Sequence, residues 1–185
     1  MKVFPTVLVV LLLSLAPRAV AQDSTKSQSP FPTGIGIGYQ LTLIQNDFGL
    51  GLNVTSPTFM NDVFAVRVRV AMSGLDHVDE DSVETRTNYP TLSVSVAGFS
   101  NEVADNIRCY GEGGGMLLFP SDKFSSKSTV FGIFGVFGFE FFITESICYV
   151  IELGATVNRA IADKVPGAPI YANGFMVGTG LRAMF

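Results

Sequence analysis

Charged residues and long apolar runs are both scarce in this sequence of 185 residues. Charged residues make up only 15% of the chain, whereas Gly occurs 19 times and Phe 16 times. After the first 21 residues, no apolar stretch approaches the roughly 20 residues that a transmembrane helix requires. The chain is therefore too apolar for an ordinary soluble domain, yet it has no helix for a bilayer. A transmembrane β-barrel resolves this conflict, because its strands carry apolar residues at alternate positions.

Clustered positive charge and recognisable catalytic pairs are missing as well. The net charge is −4, and no basic cluster is present to meet phosphates, so nucleic acid is not an expected partner. The chain has one histidine, His77, and no GxSxG motif. We therefore expect no cofactor and no enzymatic activity. The less favoured alternative is a lipid hydrolase or acyltransferase whose serine, Ser73 or Ser82, is activated by His77.

The amino-terminal segment has the features of a secretory signal peptide. Lys2 precedes a short apolar core, Val7–Leu15, and Ala19–Ala21 supplies the small residues of a cleavage site. No Cys follows the cut, so a lipoprotein is not expected. We assign residues 1–21 to the signal peptide and the polar, Pro- and Ser-rich residues 22–33 to a flexible leader.

Residues 34–185 alternate between apolar and polar positions, which predicts a single barrel domain of eight antiparallel strands. Many segments have the roughly 9–11 residues of a tilted transmembrane strand. An even count is expected when both chain ends are periplasmic. Ten strands stay possible if the long loops contain short ones. The predicted strands are about 34–44, 47–56, 63–74, 90–99, 106–119, 129–143, 146–159 and 171–185.

The two faces of these strands decide between a membrane barrel and a soluble fold. Charges well inside a strand fall opposite its apolar face, and that face is nearly unbroken on all eight strands. A soluble sandwich or lipocalin would place its apolar residues inside and its charges outside. Lipid must therefore cover the apolar face, and the charges point into the lumen. The predicted inward charges are Arg67, Arg69, Arg108, Glu112, Glu140, Glu152 and Arg182.

An eight-stranded barrel is only wide enough for its own side chains. Four cations and three anions nearly cancel, so we interpret the predicted inward charges as an ion-paired core. The inward glycines, which include Gly36 and Gly178, leave room for long arginine side chains. They could instead leave a thin water channel, so a narrow solute or ion pore is the alternative function.

A dense polar cluster follows the third predicted strand and faces the exterior if the amino terminus is periplasmic. It comprises Asp76, His77, Asp79, Glu80 and Asp81. Its spacing is not that of an EF-hand loop, although carboxylates suit calcium. We interpret it as a solvated acidic loop that could bind divalent ions loosely between lipopolysaccharide molecules.

The two cysteines are predicted to be free thiols. The alternation places Cys109 on the lipid face of the fifth strand and Cys148 on the lumen face of the seventh. One strand lies between them, so they are about 10 Å apart. That distance exceeds the roughly 7 Å limit between bridged α-carbons.

The carboxyl-terminal segment GFMVGTGLRAMF and the hairpin FGIFGVFGFEFFITESICYVIELGATV resemble those of the small OmpX/opacity-type outer-membrane β-barrel family. The resemblance implies an exported barrel in the outer membrane of a Gram-negative bacterium. It also implies contact with outer-membrane lipid, lipopolysaccharide and the barrel assembly machinery. We expect a monomer with a structural or surface-interaction role. The assembly signature would be Phe175, Val177, Leu181 and Phe185.

Overall fold

The structure is a computed structural model that describes residues 31–78, 84–104 and 106–185. These residues form eight antiparallel strands, each paired with its neighbours in sequence, and β1 pairs with β8 to close a barrel. The predicted all-β, up-and-down antiparallel barrel is confirmed. The strands are β1 (Gly36–Ile44), β2 (Asp47–Thr55), β3 (Phe64–Val78), β4 (Glu84–Ala104), β5 (Ile107–Leu118), β6 (Val130–Thr144), β7 (Ile147–Asn158) and β8 (Gly174–Met184).

The barrel wall has its apolar side outward, as the alternation predicted. In β2, Leu52 exposes 66% of its surface and in β6 Phe131 exposes 64%, whereas Arg67 in β3 is fully buried. Successive residues of a strand point to opposite faces, so period-2 alternation separates the two environments along each strand. Within the described ranges, no helix is long and apolar enough to cross a membrane.

The hairpin formed by β3 and β4 is longer than the sequence predicted. Pairing continues past Ser73 to Asp76↔Arg86, His77↔Thr85 and Val78↔Glu84. The prediction that Asp76 and His77 lie in a loop was therefore wrong, because the partner strand supplies backbone hydrogen bonds that override the weak strand propensity of acidic residues. Asp79, Glu80 and Asp81 of the predicted cluster lie outside the described residues.

The two ends of the barrel carry different connections. The loop end carries the turn after β1, the β3–β4 hairpin and residues 119–129 and 159–173, whereas the terminal end carries both ends of the barrel domain. The predicted signal peptide falls outside the described residues, and so does most of the predicted leader. At the described end of that leader, Phe31 is buried, and the Thr58 backbone N–H donates to Thr33 O at 2.9 Å.

Candidate functional site

The lumen brings together the charged residues that the alternation placed inward. Arg67 and Arg69 are two positions apart on β3 and therefore share a face, and the other charges come from β5 to β8. Within the described chain, all of these side chains are buried and ion-paired with one another. The strands thus place guanidinium and carboxylate groups in a single lumen layer, which we call the charged layer.

Glu140 holds two guanidinium groups in this layer. Its Oε2 accepts hydrogen bonds from Arg108 Nε at 2.9 Å and Arg108 Nη2 at 2.6 Å. Its Oε1 accepts from Arg182 Nη1. Both carboxylate oxygens are therefore occupied by charged donors, an arrangement that makes strong, directional bonds.

Glu112 and Glu152 hold the arginines of β3. Arg67 donates to Glu112, and Arg69 Nη2 lies 3.2 Å from Glu152 Oε1 and 3.5 Å from Glu112 Oε1. Ser95 Oγ completes the shell of Glu112 with a hydrogen bond of 2.7 Å. Each carboxylate therefore has several donors, as a buried charge requires.

Neutral side chains complete the charged layer, and the sequence analysis did not single them out. Tyr110 Oη and Gln40 Nε2 both donate to Glu152, and Arg67 Nε donates to Thr55 Oγ1 at 3.0 Å. The Tyr110 ring lies opposite Gly138 in the ladder, and a Cβ there would be 2.7 Å from the Tyr110 Cε1. Tyr110 shares the inward alternation of Arg108, which is a sequence signal for its position but not for its role.

An apolar plug closes the loop end of the lumen. Phe124 and Tyr171, from the loops 119–129 and 159–173, turn inward and pack edge to face with ring centroids 5.2 Å apart. Tyr89 of β4 packs against Tyr171 at 5.2 Å and against Phe124 at 6.1 Å. Asp47 accepts from Tyr89 Oη at 2.9 Å and from the Ala172 N–H at 2.7 Å, so it ties the plug to β2.

Polar contacts fasten the two loops to each other. The Ser126 N–H donates to Asp163 Oδ1 at 2.7 Å, and Ser126 Oγ donates to Asp163 Oδ2. These hydrogen bonds lower the pKa of the Asp163 carboxyl below its ordinary value, because they favour the charged form. Burial raises the pKa of the Tyr171 phenol, which is consistent with a side chain held within the plug.

Aromatic residues surround the guanidinium of Arg108 toward the terminal end. Its Cζ lies 4.2 Å from the ring centroid of Phe99, 5.1 Å from that of Phe31 and 5.4 Å from that of Phe142. Phe31 and Phe142 also contact each other, with centroids 4.8 Å apart. Phe31 lies within the predicted leader, where no alternation of apolar and polar residues could identify it. These three rings close the terminal side of the charged layer.

A small cavity lies between the charged layer and the apolar plug. Its volume is about 30 Å³, and its walls include Arg69, Ser73, Ser93 and Met116. A water molecule needs about 10–15 Å³ of such space, so the cavity holds about two.

The other predicted site residues lie outside the lumen layers. His77 Nδ1 is 3.4 Å from Leu75 O, and its ring centroid is 6.3 Å from that of Phe124. Asp76 is exposed and lies 3.8 Å from Arg86. The residues of the predicted assembly signature are on the outer surface of β8 or directly after it: Phe175, Val177, Leu181 and Phe185.

The cysteines occupy the two faces that the alternation assigned to them. Cys148 is buried on the lumen side, where it belongs to the cluster that contains Tyr110 and Phe99. Cys109 is half-buried, and its Sγ lies 3.0 Å from Ser100 Oγ. Both thiols are free, and burial of Cys148 is consistent with an apolar filler.

A closed barrel with an apolar exterior and an ion-paired lumen is an outer-membrane-type β-barrel, because only lipid can cover such a surface. The chain has the fold of the outer membrane protein OprG from Pseudomonas aeruginosa, with a TM-score of 0.58, 13% identity, and coverage of 84% of this chain and 97% of that chain. The Yersinia pestis outer membrane protein Ail, in a phospholipid bilayer nanodisc, matches at a TM-score of 0.44 and 16% identity over 82% of this chain and 98% of that chain. No protein-family model matches the sequence, and no curated protein matches it either. The expected fold, that of an outer-membrane-type barrel, is confirmed.

Proposed function

We propose that the protein is a non-conducting, non-enzymatic barrel of the outer membrane that acts through its exposed surface. One observation carries this proposal: the described lumen is filled in consecutive layers by Phe31, Phe99 and Phe142, by the charged layer, and by the apolar plug. An ion crossing the barrel would have to separate buried guanidinium–carboxylate pairs, which is strongly unfavourable.

Conductance in planar bilayers tests this proposal against the narrow pore. The wild-type protein is expected to show no steady conductance, because buried ion pairs fill the charged layer and the cavity beside Arg69 holds only about two water molecules. Glu140→Gln and Arg182→Gln alter the charged layer directly, whereas Glu145→Gln alters an exposed turn and is the matched control. Steady wild-type conductance that changes in the first two variants and not in the control would favour the pore.

The surface-interaction role also differs from a lipid-modifying enzyme in a measurable way. Among the described residues, His77 contacts the Leu75 carbonyl and the Phe124 ring, neither of which is a nucleophile. Ser82, one of the two serines considered, lies outside the described residues. We expect expression of the protein to leave the mass of lipid A unchanged. A mass change that His77→Ala abolishes would overturn the non-enzymatic proposal.

We further propose that the chain is a monomer that the barrel assembly machinery recognises through β8. Phe185 supports this proposal, because it exposes 79% of its surface beside the seam where β8 meets β1. Its backbone N–H donates to Ile35 O at 2.9 Å and its carbonyl accepts from the Ile35 N–H at 3.1 Å. A barrel closed by its own first and last strands needs no second copy to cover an edge.

A further inference from the structure

The outer wall carries a groove near the loop end that the filled lumen does not explain. The groove has a volume of about 520 Å³, and its walls are almost entirely apolar. Leu50, Met72 and Pro90 form one row across it, because Leu50 pairs with Met72 and Met72 pairs with Pro90. Gly51 and Ala71 also line the groove, and because their side-chain positions face the lumen, it is their backbone that forms its floor. We call this the outer-wall groove.

A guanidinium group lies on the same face directly beside the groove. Arg86 is exposed, its Nη2 donates to Phe48 O at 3.2 Å, and its Cζ lies 5.8 Å from the ring centroid of Phe48. Gly74 makes this position possible, because a Cβ there would lie 2.8 Å from Arg86 Nη2. The row Phe48, Gly74 and Asn88 is two residues from the row Leu50, Met72 and Pro90. The guanidinium is therefore about 7 Å along the wall from the start of the groove.

A cation at the rim of an apolar groove is complementary to an anionic head group followed by an acyl chain. The guanidinium of Arg86 offers donors to phosphate oxygens in a geometry that suits bidentate binding. Its partner Asp76 is 3.8 Å away and exposed, so this ion pair is weak and leaves Arg86 available. The groove then encloses part of the lipid's acyl chain, which would otherwise contact only a smooth wall.

We propose that Arg86 and the outer-wall groove bind one phosphorylated lipid of the outer leaflet, lipid A of lipopolysaccharide. The site rests on the proposed outward orientation of the loop end, since an even-stranded barrel with periplasmic chain ends places its longer loops outside. Arg86 contacts a phosphate, and an acyl chain lies along Met72, Leu52 and Val70. Lipid A would then be a partner of the exposed surface, and its binding would not depend on the charged layer.

Native mass spectrometry of the detergent-solubilised full chain, titrated with purified lipid A, tests the proposal. The wild type is expected to bind one lipid A saturably. Arg86→Gln removes the cation, and Val70→Trp fills the groove without changing charge; each is expected to weaken binding about tenfold or more. Matched controls are Arg159→Gln, an exposed arginine, and Val157→Trp, an exposed valine on β7. Both controls should bind as the wild type does.

One further variant and two comparison lipids test whether the phosphate of lipid A is the group that Arg86 binds. Asp76→Asn removes the competing carboxylate, so lipid A should bind more tightly. Dephosphorylated lipid A and phosphatidylglycerol should both bind more weakly than lipid A. The proposal is overturned by equal binding in Arg86→Gln and Arg159→Gln, by weaker binding in Asp76→Asn, or by phosphatidylglycerol binding as tightly as lipid A. Heat-dependent gel migration checks that each variant is folded, and bilayer conductance tests the sealed lumen separately.

Discussion

Glu140 binds the guanidinium groups of Arg108 and Arg182 at the same time, so two buried arginines share its single negative charge. Burying a charge is costly unless the geometry of its partners is good, and removal of one partner leaves the others uncompensated. Single side chains in the lumen therefore contribute to stability mainly through the charges that they keep neutralised.

Glu140→Gln removes one negative charge with almost no change of shape. We expect the free energy of unfolding to fall by about 3–5 kcal/mol, because two buried guanidinium groups lose their carboxylate. Urea unfolding in lipid vesicles measures this change. The control is Glu145→Gln in the exposed turn after β6, which should change stability by about 0.5 kcal/mol or less. An equally small effect of both substitutions would contradict the ion-paired lumen.

Asp163 links stability of the loop contact to pH. Its pKa is lowered below the ordinary value of 3.8 in the folded protein, so the contact stabilises the fold above that pH. The stabilisation is lost as pH falls through the folded pKa. In Ser126→Ala the side-chain donor is gone, and the pKa should move back toward 3.8. Carboxyl NMR titration of Asp163 measures this shift, and identical titrations in wild type and variant would contradict it.

The sequence identified the charges of the lumen because each follows strict alternation within a long strand. It could not separate Tyr110 and Gln40 from other inward residues, since alternation specifies a face and not a partner. Phe31 was assigned to the leader, because a single aromatic residue among Ser and Pro carries no periodic signal. Its burial depends on Arg108 and Phe142, which are distant in sequence.

At the scale of elements, the loops 119–129 and 159–173 are part of the core. Phe124 is fully buried against Tyr89 and Tyr171, and the Lys164 N–H donates to Phe124 O at 3.1 Å. These loops have no periodicity, so the sequence predicted their positions between strands and not their inward fold. The length of the β3–β4 hairpin was also missed, since its acidic residues resemble a solvated loop.

Phe124→Ala should loosen these loops while the strands stay paired. Deleting a buried phenylalanine ring lowers the free energy of unfolding by about 3–5 kcal/mol. Because the lost contacts are those of the two loops, the loops should unfold locally more often. We expect trypsin to cleave at Lys123 and Lys127 at least about tenfold faster than in the wild type. Phe131→Ala, which removes a ring from the outer wall, is the control. Cleavage at the same rate in both variants would show that Phe124 does not hold the loops.

The free-energy cost of placing a charge on the outer wall should depend on the depth of the position in the bilayer. Val94 is exposed on the outer face and pairs with Val68, beside the charged layer, whereas Ile143 is exposed at the end of β6. Val94→Arg is expected to cost about 2–4 kcal/mol and Ile143→Arg about 0–1 kcal/mol. Unfolding in phospholipid vesicles measures both. Equal costs would contradict a membrane-spanning position for Val94.

At the scale of the whole molecule, the polarity of the fold is reversed relative to a soluble protein. Arginine and glutamate fill the middle of the interior, and leucine, valine and phenylalanine cover the wall. The sequence predicted this architecture well, because alternation, strand length and an even number of strands all agree with one closed barrel. The lateral position of Arg86 over Gly74 could not be predicted, since it depends on the register of β2, β3 and β4.

Gel migration of the protein from purified outer membranes, with and without boiling in detergent, tests the central claim most directly. A closed barrel whose backbone hydrogen bonds are all satisfied between strands resists detergent until it is heated. We predict that the protein is in the outer-membrane fraction and that its migration shifts on boiling. A soluble periplasmic protein whose migration does not change on boiling would contradict the account, because its apolar face could not then be covered by lipid.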